Sequence, residues 1–127
     1  MEDIFQIGEI VTGIYKTGVY IGEITELRPT QYLLKILAVI KHPTQGDLHH
    51  IKQTNVPFFH ERRSLAFQEQ AFVPKQMVKR YTDAIPTYKE SLQLALEKQI
   101  VSLQEDHTEW ANRSLEHLYN LKKEYKI

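Results

Sequence analysis

The sequence contains no cysteine among its 127 residues. This absence excludes disulfide bonds, thiolate metal ligands, a cysteine nucleophile and a cysteine-linked lipid anchor. Net charge is also absent, because 16 Lys and Arg residues balance 16 Asp and Glu residues, and this balance disfavours nucleic acid as a partner. Long apolar runs are missing, and the acidic amino terminus does not match a signal peptide. We therefore expect a cytoplasmic protein with no direct membrane insertion.

Glycine and proline are concentrated before a boundary near residue 82. All five glycines lie at or before Gly46, and the segment after Pro86 has neither glycine nor proline. The first part is also rich in β-branched and aromatic residues. The sequence thus predicts a β-rich domain over residues 1–82 and a helical tail over residues 83–127.

The first part alternates apolar-rich runs with turn residues. Predicted strands lie at residues 8–15, 18–27, 32–40, 64–67 and 70–73. The first three read as a meander with short turns, and a long loop rich in His, Pro, Gln and Asn occupies residues 41–61. Five short strands predict a small β-barrel, which together with the tail gives an α+β fold.

The tail has the pattern of two helices. A capping box from Thr87 to Glu90 predicts a helix over residues 87–104, and Asp106 or Thr108 could cap a second helix over residues 107–125. An antiparallel helical hairpin is the simplest arrangement, and a single long helix is the alternative because the connection lacks glycine and proline.

The two predicted helices differ in their apolar faces. The second helix is apolar on one side, whereas Leu94 and Val101 give the first helix a second apolar stripe opposite its main one. Such a stripe needs a cover, which the barrel, a partner protein or a second copy in a homodimer could provide.

Histidines are concentrated in the long loop beside acidic residues. The candidate metal ligands are His42, Asp47, His49, His50 and His60, with Glu61 nearby. Imidazole and carboxylate groups bind zinc and other transition metals. The spacing matches no metal motif, however, and the sequence also lacks nucleophile-elbow and phosphate-loop patterns. We expect no cofactor and no enzyme activity, and we keep a metal-dependent enzyme as an alternative.

Aromatic residues offer a candidate binding surface. Tyr15, Tyr20 and Tyr32 come from neighbouring predicted strands, and Phe58 and Phe59 lie in an apolar island of the long loop. Flat, amphipathic side chains of this kind form peptide-binding grooves and protein interfaces. The alternative for the phenylalanines is that they plug one end of the barrel. Basic residues interleaved with aromatics between residues 62 and 81 keep nucleic-acid binding by a small barrel as a second alternative.

Two resemblances add to these patterns. Residues 72–78 resemble the end of SH3 domains, where a strand, a proline and a short turn of 3₁₀ helix precede the last strand. Across nearly the whole chain, the sequence resembles the kinase-associated protein B family of spore-forming Gram-positive bacteria, also called kinase-associated lipoprotein B. The segments that carry this resemblance are residues 15–20, 42–50, 59–63, 85–92 and 108–110.

The family resemblance implies a regulatory adaptor. Its partner would be the cytoplasmic part of a sporulation sensor histidine kinase, whose signalling into the phosphorelay it would support. Because the sequence has no cysteine, we expect membrane association only through the kinase. The predicted fold is an SH3-like barrel followed by a helical hairpin. The candidate partner-binding residues are Tyr15, Tyr20, Tyr32, Phe58, Phe59, Leu94 and Val101.

Overall fold

The structure is a computed structural model that describes residues 4–46, 54 and 59–127. Its strands are β1 Ile10–Tyr15, β2 Gly18–Leu27, β3 Gln31–Lys41, β4 Gln70–Pro74 and β5 Val78–Arg80, with a 3₁₀ turn at Lys75–Met77 between the last two. Its helices are α1 Tyr88–Gln104 and α2 Glu109–Tyr125. The predicted α+β class is confirmed.

The five strands form one antiparallel sheet in the order β4-β3-β2-β1-β5. A two-residue turn joins β1 to β2, pairing Tyr15 with Gly18, and Lys16 adopts a φ of 55° in this turn. β4 and β5 form the two edges, and no strand pairing in the described part of the chain joins them. The sheet is therefore not closed, and the SH3-like barrel stays a prediction.

The predicted strand at residues 64–67 is wrong, because this segment has no strand partner. Its backbone N–H groups donate to side chains instead: Ser64 to the hydroxyl of Tyr125, Leu65 to the hydroxyl of Tyr20 and Ala66 to the carboxylate of Glu69. The fifth strand is β5, which pairs with β1 from Val78 to Arg80. Side-chain acceptors thus replace a sheet ladder along this segment.

Register shifts bend the sheet around its core. The β2–β3 pairing is irregular at three places, at Val19/Tyr20, Ile21/Gly22 and Ile24/Glu26. Such bulges increase the local twist and curvature of a sheet. The curved sheet encloses a core that contains Tyr20, Ile24, Leu34, Ile36 and Val73, all at most 1% exposed.

Helix α1 completes this core from the other part of the chain. Leu92 and Ala95 of α1 belong to the same buried cluster as the sheet residues. The hydroxyl of Ser91 accepts a 2.9 Å hydrogen bond from the backbone N–H of Val39 in β3. One core therefore extends across the predicted boundary at residue 82, and the division into two domains stays a prediction.

Helices α1 and α2 are separate and pack on each other through a second core. Its members are Leu96, Ile100 and Leu103 of α1 and Trp110, Ala111, Leu118 and Leu121 of α2. Residues 105–108 connect the helices, and His107 adopts a φ of 60° there. The alternative of a single long helix is excluded.

We expect Thr108→Ala to lower the free energy of unfolding by about 1 kcal/mol. The hydroxyl of Thr108 accepts a 3.1 Å hydrogen bond from the backbone N–H of Ala111, which would otherwise lack a partner in the first turn of α2. Urea denaturation measures the change. Thr82→Ala is the matched control, because Thr82 is exposed and outside any helix or strand. Equal effects of the two substitutions would contradict a capping role.

Candidate partner-binding surface

An apolar stripe on α1 lies uncovered at the surface. Leu94 is 66% exposed and Val101 is 54% exposed, whereas Leu92, Leu96 and Ile100 on the opposite side of the same helix are buried. We refer to Leu94 and Val101 as the α1 stripe. Neither the sheet nor α2 covers this stripe.

A groove of about 560 Å³ lies between α1 and the ends of the first three strands. We call it the side groove. Its apolar walls include Ile14, Val19, Leu103 and Trp110, and Ser102 lines it directly after Val101. The α1 stripe and the side groove therefore involve different faces of the same helix.

Gln99 of the side groove has a buried hydrogen-bonding position that no described residue fills. Its Nε2 donates to the backbone carbonyl of His42 at 3.3 Å. Its Oε1 is buried and has no hydrogen-bond partner among the described residues. An amide oxygen in this state accepts a hydrogen bond if a donor reaches it.

The three candidate tyrosines do not form an exposed row. Tyr20 is only 1% exposed and belongs to the sheet core, where its hydroxyl accepts a hydrogen bond from the backbone N–H of Leu65. This burial raises the pKa of Tyr20. Tyr15 and Tyr32 are half-buried and pack against that core, Tyr32 also against the ring of Phe5 at 5.7 Å. The three tyrosines therefore do not line an exposed groove, because the side chain of Tyr20 points into the core.

Phe59 holds the end of the long loop against α2. Its ring stacks on the ring of His117, with 5.2 Å between the two centroids. The guanidinium of Arg113 lies over the Phe59 ring, 4.7 Å from its centroid. Phe59 also packs against the core between the helices. It therefore serves the loop–helix contact rather than plugging the sheet. Phe58 lies outside the described residues.

His42 is a buried structural residue. It is 0% exposed, with Nδ1 3.1 Å from the carbonyl oxygen of Pro43 and Nε2 2.9 Å from the hydroxyl of Tyr125. A carbonyl accepts only, so Nδ1 carries the proton and Nε2 accepts from the tyrosine. Burial lowers the pKa of His42 to about 4. Both ring nitrogens are occupied, and His42 is not available as a metal ligand.

The other candidate ligands do not form a metal site within the described residues. Asp47, His49 and His50 lie outside those residues. His60 is exposed, and no group of three His, Cys, Asp or Glu side chains that could hold a metal lies in the described ranges. Metal binding by the long loop stays a hypothesis about the remaining residues.

Tyr125, the last residue of α2, links distant parts of the chain and is not among the candidate residues predicted from the sequence. Its hydroxyl accepts from the backbone N–H of Ser64 at 2.9 Å and donates to Nε2 of His42. Burial raises the pKa of Tyr125 to about 12. These partners are 61 and 83 residues away in sequence, so no local spacing could have identified them.

Comparison with known proteins identifies the family. The family model described as kinase associated protein B matches residues 15–126. The chain belongs to the kinase-associated protein B family. It is 57% identical over 121 residues to kinase-associated lipoprotein B of Bacillus subtilis (strain 168), a match that covers 95% of this chain and 94% of the relative.

A solved structure agrees with this assignment. The crystal structure of kinase-associated protein B from Bacillus cereus matches with a TM-score of 0.84 and 54% identity, covering 98% of this chain and 100% of the other. The resemblance inferred from the sequence is therefore confirmed. The names of both relatives describe proteins associated with a kinase. In the described part of this family member, neither helix is long and apolar enough to span a bilayer.

Proposed function

We propose that this chain is a non-catalytic adaptor that binds the cytoplasmic part of a sporulation sensor histidine kinase and supports its signalling into the phosphorelay. Kinase association in the names of its relatives supports the partner. The observation that carries the proposal is the α1 stripe, two large apolar side chains that the chain's own fold leaves exposed. The protein acts in the cytoplasm and reaches the membrane through the kinase.

The α1 stripe suits docking of a partner helix. Leu94 and Val101 are seven positions apart, the spacing at which apolar side chains recur along one line of a helix. Complete burial of each contributes about 1.5–3 kcal/mol. The side groove, which is lined by the residue after Val101, receives a further side chain of the partner.

Leu94→Asp/Val101→Asp is expected to weaken binding of the purified cytoplasmic part of the kinase by at least about 100-fold, because two desolvated apolar contacts are replaced by buried charges. Pull-down detects the loss, and isothermal titration calorimetry gives the dissociation constants. Both side chains are exposed in the free protein, so the fold should tolerate the change.

Met77→Asp/Ile85→Asp is the matched control, since these residues are also exposed apolar side chains, each 43% exposed, but lie outside α1. The control is expected to bind the kinase like the unmodified chain. Failure of the unmodified chain to bind the kinase rejects the proposed function. The α1 stripe would instead serve a homodimer if sedimentation shows that the unmodified chain is a dimer and that Leu94→Asp/Val101→Asp is a monomer.

A further inference from the structure

A second cleft, separate from the α1 stripe, opens beside the turn between β1 and β2. It has a volume of about 270 Å³ and is lined by Tyr15 and Lys16 from that turn and by residues 61–63 from the end of the long loop. Pro43 and Leu65 add apolar surface to it. We call it the basic cleft because of the charges described next.

The two carboxylates that line the basic cleft are already engaged by hydrogen-bond donors. Glu61 accepts from Nδ1 of His117 at 3.1 Å and from Nδ2 of Asn120 at 3.0 and 3.2 Å. Glu69 accepts from the backbone N–H of Ala66 at 2.8 Å. Neither carboxylate forms an ion pair with a Lys or Arg side chain of the cleft within the described residues.

The cations of the basic cleft differ in whether a carboxylate neutralises them. Arg63 forms a salt bridge with Glu124 of α2. Lys16 has its ammonium 5.5 Å from the centroid of the Tyr15 ring, and Arg62 donates from Nε to the carbonyl of Gly46 at 3.2 Å. Among the described residues, no carboxylate pairs with Lys16 or Arg62.

Arg62 is held in position although its charge is not neutralised. Its backbone N–H donates to Oε1 of Gln45 at 2.8 Å, and Nε2 of Gln45 donates back to its carbonyl at 3.0 Å. Gln45 is only 3% exposed. The buried glutamine therefore fixes the backbone of Arg62 at the edge of the cleft, which lowers the entropy lost when a ligand pairs with the guanidinium.

We propose that the basic cleft binds an acidic peptide segment of a protein partner. Lys16 and Arg62 pair with its carboxylates, and the ring of Tyr15 packs against its aliphatic carbons. A nucleic acid fits less well, because its affinity depends on neutralising a row of phosphates, and among the described residues the cleft offers only Lys16 and Arg62 as cations without a carboxylate partner. This site is distinct from the α1 stripe and does not depend on the kinase being the partner.

The test uses fluorescein-labelled hexaglutamate and hexaglutamine peptides, measured by fluorescence anisotropy at low ionic strength. The unmodified chain is expected to bind hexaglutamate about tenfold more tightly than hexaglutamine, and added salt should reduce this difference. Lys16→Asn/Arg62→Gln is expected to weaken hexaglutamate binding at least about fivefold. Asparagine is chosen because it tolerates the φ of 55° at position 16.

Lys79→Gln/Lys89→Gln is the charge-matched control, since both lysines are exposed and neither lines the cleft. It is expected to change the affinity less than twofold, a bound set by the weak effect of distant surface charges. Circular dichroism verifies folding, and the two single substitutions replace the double variant if it does not fold. Equal binding of the two peptides, or equal losses in both double variants, overturns the proposal. Displacement of hexaglutamate by equimolar inorganic phosphate also overturns it, in favour of a simple anion site.

Discussion

Replacing Leu118 with alanine is expected to lower the free energy of unfolding by about 3 kcal/mol. Leu118 is 0% exposed and lies in the core between α1 and α2. Its removal leaves a cavity lined by side chains such as Leu96 and Leu121, which belong to rigid helices and can collapse only in part. The expected loss is a large fraction of the stability of a small protein.

Urea denaturation followed by circular dichroism measures this change, and Ser114→Ala is the matched control one turn earlier on the same face. Ser114 is also 0% exposed, and its hydroxyl has no hydrogen-bond partner among the described residues. Removing that hydroxyl is expected to leave stability unchanged or raise it by about 1 kcal/mol. A loss below about 1 kcal/mol for Leu118→Ala would show that the helices do not share a tightly packed core.

Local signals in the sequence were sufficient to predict the helices. Helices predicted over residues 87–104 and 107–125 are observed at Tyr88–Gln104 and Glu109–Tyr125. Thr87 and Thr108 accept hydrogen bonds from the backbone N–H groups three residues later. A capping side chain and a 3.6-residue period act within one or two turns, so they can be read without knowledge of the tertiary fold.

The strand assignments that the sequence did not predict correctly depend on contacts between residues distant in sequence. Residues 64–67 have a strand-like composition, but their N–H groups meet the hydroxyls of Tyr20 and Tyr125 and the carboxylate of Glu69. β5 is only three residues long and carries a weak periodic pattern. Propensity cannot distinguish a strand from an extended segment whose partners are side chains distant in sequence.

The candidate surface could be predicted only as a pattern. The period of α1 showed that Leu94 and Val101 lie opposite the main apolar face, but whether the sheet covers them depends on the angle at which α1 packs. The hydrogen bond from the backbone N–H of Val39 to the hydroxyl of Ser91 fixes the contact between α1 and β3, on a different side of α1 from these two residues. Burial of Tyr20 could not be predicted for a related reason, because alternation along β2 does not show which of its two faces the core covers.

Acidification is expected to destabilise the protein through His42. The pKa of this residue falls from 6.5 to about 4 because burial disfavours the charged imidazole. The unfolded chain therefore binds more protons than the folded chain between these two values. The contribution of the neutral His42 to the free energy of unfolding is therefore present above pH 6.5 and is lost as the pH falls towards 4. Between pH 7.5 and pH 5 the loss amounts to about 2 kcal/mol.

The hydrogen bonds around His42 explain why protonation is unfavourable. A proton on Nε2 would face the hydroxyl of Tyr125, whose oxygen already accepts from the backbone N–H of Ser64. The tyrosine proton would then lose its acceptor in a buried place. The contact between the end of α2 and the start of the long loop is thus the part of the fold that acid should loosen first.

Urea denaturation at pH 7.5 and pH 5, compared between the unmodified chain and His42→Gln, isolates this contribution. Glutamine cannot be protonated, so the variant is expected to lose about 2 kcal/mol less than the unmodified chain over this interval. Carboxylates and the remaining histidines titrate in both proteins, and their effects cancel in the difference. Equal losses in the two proteins, or a His42 imidazole that titrates near pH 6.5 by NMR, would contradict a neutral, buried His42. A difference of the expected size would show that this histidine has a packing role, because a metal ligand or exposed acid–base group must remain accessible at its ring nitrogens.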